Sequence, residues 1–138
     1  MKRYEQFPHT ADIGVRVFGR DKKEVFENAA FAMFDIIADL EGLKNSVSQE
    51  VSLKAGSAEE LLVAFLDELL YNFYTKQVIY SKFEITGLSD TALECRIHGR
   101  PVGANRNRLK TEIKAATYSG LEIKKSGEGF ETEIIFDV

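Results

Sequence analysis

One cysteine, two prolines, two histidines and no tryptophan in 138 residues is a short supply of special chemistry. Each shortage removes a class of protein. The single thiol, Cys95, rules out an internal disulfide and fits a reducing compartment. The two histidines, His9 and His98, do not stand at the spacing of a helical metal-binding pair. No apolar run approaches the ~20 residues that cross a bilayer. The opening Met1-Lys2-Arg3-Tyr4-Glu5 has no apolar signal core, so the expected location is cytoplasmic. A formal net charge of −4 argues against a surface built throughout for nucleic acid. Phosphate-cradling loops of the GxxxxGK[ST] or GxGxxG type are missing, and neither Ser57 nor Ser126 has a nucleophile-elbow context. The chain is therefore not expected to be an enzyme.

What is present reads as one α+β domain, residues 1–138, large enough for a core without covalent staples. Hydrophobic residues at 44% and charged residues at 29% are ordinary for a globular protein. Two segments carry helical periodicity. In the first, Asp21 and Glu24 form a capping box, Val25, Phe26, Ala29, Ala30, Met33, Phe34 and Ile37 form an apolar stripe, and Gly42 closes the segment. In the second, Ser57 and Glu60 cap a helix over about 58–76, striped by Leu61, Leu62, Phe65, Leu66, Leu69, Leu70 and Phe73.

Period-two alternation marks the strands. Residues 4–7 are extended and end at Pro8. Residues 13–18 and 47–54 follow. Residues 80–86 and 91–99 flank a turn at Gly87-Leu88-Ser89-Asp90. Residues 113–118, 121–124 and 130–137 complete the set, with a turn at 125–129 between the last two. Residues 100–108 read as a long loop. The expected architecture is two amphipathic helices packed on a mostly antiparallel sheet of about seven strands.

The two ends carry the chemistry. Asp12 stands at the mouth of the first long strand; Asp137 and the carboxylate of Val138 stand at the exit of the last. If those strands pair antiparallel, the three carboxylates converge. Like charges that close repel and recruit a cation, and about six carboxylate oxygens suit Ca²⁺, with Mg²⁺ or Mn²⁺ as alternatives, over Zn²⁺. Taken singly, each aspartate has an ordinary role, capping a turn or facing water. His9 either lines the same site or satisfies a backbone carbonyl. Cys95, between Leu93 and Ile97 on an apolar face, reads as a buried structural thiol. Asp67 and Glu68 read as the wet face of the second helix, with Tyr71, Tyr74 and Tyr80 at the core's rim.

Between residues 96 and 114 there are six cations, Arg96, Arg100, Arg106, Arg108, Lys110 and Lys114, against one acid, Glu112. This stretch either meets phosphate or an acidic partner, or is a solvated loop whose cations balance acids elsewhere.

His9-Thr10-Ala11-Asp12-Ile13-Gly14 resembles the signature opening of the archease family. Three further segments do so in the same order: Leu62-Val63-Ala64-Phe65-Leu66-Asp67-Glu68-Leu69-Leu70-Tyr71, Lys114-Ala115-Ala116-Thr117-Tyr118, and Phe136-Asp137-Val138. The resemblance implies a protein activator of the GTP-dependent, RtcB-type tRNA-splicing ligase. Such an activator promotes guanylylation and multiple turnover, broadens nucleotide use, and meets RNA through the ligase. It also implies that Asp12, Asp137 and Val138 hold a divalent metal. One departure is visible: histidines common in the family are replaced at Ser119 and in the 105–107 region. Two other readings compete. One is a chaperone-like or RNA-processing adaptor that uses residues 96–114; the other is a metal-dependent phosphohydrolase built on Asp12 and Asp137.

Overall fold

The computed structural model describes residues 2–117 and 121–138. Eight strands and two α-helices follow the order β1 (Tyr4–His9), β2 (Asp12–Gly19), α1 (Lys22–Ile37), β3 (Val47–Lys54), α2 (Ala58–Lys76), β4 (Val78–Leu88), β5 (Ala92–Pro101), β6 (Ala115–Ala116), β7 (Lys124–Ser126) and β8 (Gly129–Asp137). A 3₁₀ turn, Gly103–Arg108, lies between β5 and β6. The class is α+β, as expected, but the strands divide into two sheets instead of one. The first runs β1-β2-β8-β6, with β7 also pairing β8; the second runs β3-β5-β4. Every pairing among the described residues is antiparallel. Alternation reveals which residues face inward but not which strand lies alongside, so it could not divide the sheet.

Both capping boxes form. The Glu24 amide donates to the Asp21 carboxylate at 2.8 Å, and the Glu60 amide to the Ser57 hydroxyl at 3.2 Å. Each glutamate reaches back one residue beyond the cap: Glu24 accepts from the Arg20 amide and Glu60 from the Gly56 amide. Two orphan amides at each helix start are thereby satisfied.

The apolar stripes of α1 and α2 meet between the sheets. Phe34 sits at the centre, fully buried, with Phe73, Tyr80 and Phe83 rings 5.8–5.9 Å from its own. Helix α1 packs on β2 of one sheet and β4 of the other, which joins the two layers. Tyr80 is 1% exposed, so it belongs to the core and not to its rim. Cys95 is fully buried, and burial together with nearby carboxylates pushes its thiol up to about 12, which keeps it protonated and inert.

Several boundaries differ from expectation. Strand β1 continues through Pro8 to His9, which an edge strand allows because its outer amides need no partner. Helix α1 ends at Ile37 instead of reaching Gly42, because Ala38 turns extended and bridges Leu109. The strand expected over 113–118 shrinks to β6, with Tyr118 and Ser119 outside the described residues. The strand expected over 121–124 becomes β7, shifted later to Lys124–Ser126. The supposed loop 100–108 is partly the end of β5 and partly the 3₁₀ turn.

Candidate metal centre at the strand ends

Strand β2 pairs β8 in a register where Ile13 faces Phe136, Val15 faces Ile134 and Val17 faces Thr132. Val15, Val17, Ile134 and Phe136 are buried, so the residues between them point to the outer face. Continuing that register by one step sets Asp12 opposite Asp137. Both lie on the outer face, at the same end of the sheet. On the other flank of β2, Asp12 faces His9 across a hairpin closed by Thr10 and Ala11. On the other flank of β8, Asp137 faces Ala115 of β6. One cross-strand row therefore reads His9, Asp12, Asp137, Ala115.

The row is held firmly from below. Phe136 is fully buried and anchors β8 up to its last residue. The Lys114 amide donates to the Asp137 carbonyl at 2.7 Å, and the Thr117 amide to the Ile135 carbonyl at 2.9 Å. Ala11, in the hairpin beside Asp12, has φ of 60°, a conformation that disfavours any side chain with a Cβ. Strain of that kind persists only where its surroundings over-determine it.

The electrostatics of this row are unbalanced. His9 Nδ1 lies 3.7 Å from an Asp12 oxygen, both side chains partly exposed. Among the described residues, neither aspartate has a lysine or arginine within 4 Å. Two steps along the same face, Phe7, Gly14 and Ile135 form an apolar row. The Phe7 ring lies over Gly14, in the space a Cβ would take, so any larger residue there would have to push the ring aside. Two steps further, Arg16 bonds Glu5 at 2.8 Å and Glu133 at 2.7 Å. Four residues of strand put Arg16 about 13 Å from Asp12, beyond a Debye length of about 8 Å. The apolar row thus separates Arg16 from the acid pair.

Asp12 and Asp137 face each other across the ladder. Val138, whose carboxylate is the third expected donor, follows directly and is 38% exposed, so the donors on offer are all oxygens. Directly opposite strand positions carry their Cβ atoms about 5 Å apart, close enough for two carboxylates to share one hard cation. The site fits such an ion by donor chemistry and by its uncompensated charge. No group of three or more His, Cys, Asp or Glu side chains is clustered to hold a metal among the described residues. The side chains alone thus supply a pair, and further oxygens would come from main chain and water. His98, the other histidine, lies on the second sheet and bonds Glu84 at 2.5 Å, so it has no part here.

One acid has more to do than its sequence position suggested. Asp67 accepts from the Ala116 amide at 3.1 Å, which ties α2 to β6 beside Asp137. Although much of the residue is open to solvent, packing around its carboxyl raises the pKa above the usual carboxylate range. Nothing local announced this, because the partner amide is 49 residues away.

The family model for the "Archease protein family (MTH1598/TM1083)" matches residues 4–138. The chain belongs to the archease family. Protein archease of Methanosarcina barkeri is 36% identical over 141 residues, covering 99% of this chain and 97% of that one. The solution structure of Methanobacterium thermoautotrophicum protein 1598 superposes with a TM-score of 0.85 at 32% identity, covering 100% of both chains. A Thermotoga maritima archease, described as a possible chaperone, shares the fold with a TM-score of 0.69 at 21% identity, covering 97% of this chain and 96% of that one. The archease fold thus accounts for the whole chain. No helix among its described residues is long and apolar enough to cross a membrane.

Proposed function

We propose that this archease is a non-catalytic activator of a GTP-dependent, RtcB-type RNA ligase, and that Asp12, Asp137 and Val138 present a divalent cation to it. The reading places the protein in the cytoplasm, with the ligase as its partner and RNA reached through that partner. The carrying observation is the facing pair Asp12–Asp137 on an anchored strand end, separated from Arg16 by the Phe7–Gly14–Ile135 row. Two like charges at opposite ladder positions oppose folding. Such an arrangement supports a role for the charge itself.

The residues divide the work. Phe136 and the Lys114 amide fix the height of Asp137; the Thr10-Ala11 hairpin fixes Asp12. His9 faces Asp12 from the outer edge, where its ring can orient the carboxylate. A bound Ca²⁺, Mg²⁺ or Mn²⁺ would supply positive charge toward the phosphates of a nucleotide. An activator favours a competent state of its partner only through contacts that differ between states. A projecting acidic row can make such contacts, closing against the partner's cations in one state and not in the other.

Multiple-turnover RNA ligation by the cognate ligase with GTP tests this. Wild-type protein should stimulate product formation. Asp12→Ala and Asp137→Ala should fold normally, lose stimulation, and lose Ca²⁺ or Mn²⁺ binding in calorimetry. Full stimulation by both variants rejects the assignment.

A second reading, a chaperone-like adaptor, draws on Tyr71, which is 62% exposed on α2. Large aromatic surface left open is a feature of partner interfaces. Under that reading Tyr71→Ala would abolish protection of a client from heat aggregation, while the aspartate variants would retain it.

A further inference from the structure

The 3₁₀ turn Gly103–Arg108 separates two clefts, and cations rim both. On one side lies a cleft of about 190 Å³ lined by Lys44, Arg100, Asn105 and Arg108. On the other lies a cleft of about 370 Å³ with Phe73 and Tyr74 in its wall and Arg106 and Lys110 at its rim. We propose that this turn is a binding site for single-stranded RNA, with backbone phosphate in the smaller cleft and a base against Tyr74 in the larger. The site lies apart from the acidic row and does not depend on its role.

The charge pattern favours a polyanion. Arg16, Arg20 and Arg96 are each paired with glutamates. Among the described residues, Lys44, Arg100, Arg106 and Lys110 have no carboxylate within 4 Å. Lys23, Lys54, Lys124 and Lys125 also lack one among those residues, so what sets the turn apart is the number of cations gathered on two adjoining clefts. Glu112 lines the larger cleft and is the one acid lining either of them. A protein with net charge −4 thus keeps unpaired cations side by side around one turn.

The turn is also rigid. Arg108 Nη1 donates to the carbonyls of Asp39 and Glu41 at 3.0 and 2.6 Å, so its guanidinium is fixed without spending an acid. The Asp39 amide donates to the Arg108 carbonyl, the Lys110 amide to the Ile37 carbonyl, and Ala38 bridges Leu109. Arg108, held in place before binding, loses little freedom on binding.

Cations beside an open aromatic ring are the combination that single-stranded RNA uses, phosphate on one and base on the other. Tyr74 is 39% exposed, and its hydroxyl is already committed to the Ile113 carbonyl at 2.7 Å, so what it offers the cleft is the ring. Bases in single strands stack on such rings; paired bases cannot. The five residue steps from Lys110 to Ala115 span at most about 18 Å. Since Ala115 pairs with Asp137, a strand held at the turn has its next nucleotides near the acidic row.

Fluorescence anisotropy with a labelled single-stranded RNA oligonucleotide tests the proposal, without any ligase present. The wild-type protein should bind, with log affinity falling against log salt at a slope of about −3 for four phosphate contacts. The double variants Lys44→Ala/Arg100→Ala and Arg106→Ala/Lys110→Ala should each weaken binding tenfold or more and halve that slope. Tyr74→Phe should bind as wild type and Tyr74→Ala should lose affinity. The control Lys124→Ala/Lys125→Ala removes equal charge on β7 and should leave binding unchanged. Absence of binding at low salt, equal loss in the control, or equal affinity for a duplex of the same length would overturn the proposal. So would competition by poly-glutamate as effective as by unlabelled RNA, which would assign the turn to an acidic protein.

Discussion

The outer face of β1-β2-β8 carries charge at both ends, and the two ends are built on opposite rules. At one, Arg16 stands between Glu5 and Glu133, opposite charges on facing positions, with ion pairs of 2.8 and 2.7 Å. Those carboxylates hold the Arg16 pKa above its ordinary value, the Glu133 bond first. At the other end, Asp12 faces Asp137, and among the described residues the one ion-pair partner of either is His9. The backbone is the same antiparallel ladder in both places, so the ladder is not the cause. What differs is which residues share a rung, with the row of Phe7 over Gly14 beside Ile135 lying between the two ends. One end is paired internally; at the other, among the described residues, neither aspartate has a lysine or arginine within 4 Å.

The largest effect should follow from removing the anchor of the unbalanced end. Phe136→Ala empties a fully buried site and should cost about 3–5 kcal/mol in denaturant unfolding, loosening Asp137 with it. Asp137→Ala comes next. A saturating divalent cation at about 100 times its Kd should stabilise the wild type by about 2.7 kcal/mol and the variant not at all, read from thermal melts. With a chelator present the two ends should respond in opposite directions. Asp12→Asn relieves like-charge repulsion and should raise stability by about 0.5 kcal/mol, whereas Arg16→Gln should lower the melting temperature.

The smallest effect concerns pH. The Asp67 carboxyl has a folded-state pKa raised by burial, so the folded protein binds more protons than the unfolded chain above about 3.9. Stability from this residue is therefore lost as pH rises through the folded pKa. Asp67→Asn keeps an oxygen for the Ala116 amide, and its stability relative to wild type should climb over that window and then level off. Equal pH profiles in urea melts would show that the carboxyl is freely solvated.

Much of the fold was legible because its signals are local. Asp21 with Glu24 and Ser57 with Glu60 place both helix starts, since a cap and its amide are three residues apart. Helix ends were harder. Ala38 leaves α1 to bridge Leu109, 71 positions on, and no window of sequence contains both. The site was legible in part for a related reason. That Asp12 and Asp137 mark strand ends follows from alternation; that they lie on one face, opposite each other, follows from a register fixed by Val15, Val17, Ile134 and Phe136 burying together. Asp67 passed for a solvated helix residue because its amide partner belongs to a distant strand.

The sequence by itself determined the elements: two capped amphipathic helices, alternating strands, a buried thiol, and acids at the outermost strand positions. These depend on neighbours within a few residues, where side-chain period and hydrogen-bond reach act directly. Tertiary structure alone decided that the strands form two sheets, that Arg16 is separated from Asp12, and that cations from 44 to 110 gather around one turn. Each of these depends on distances that only packing sets: hydrogen bonds act within a few ångströms, and charges in salt water within about a Debye length.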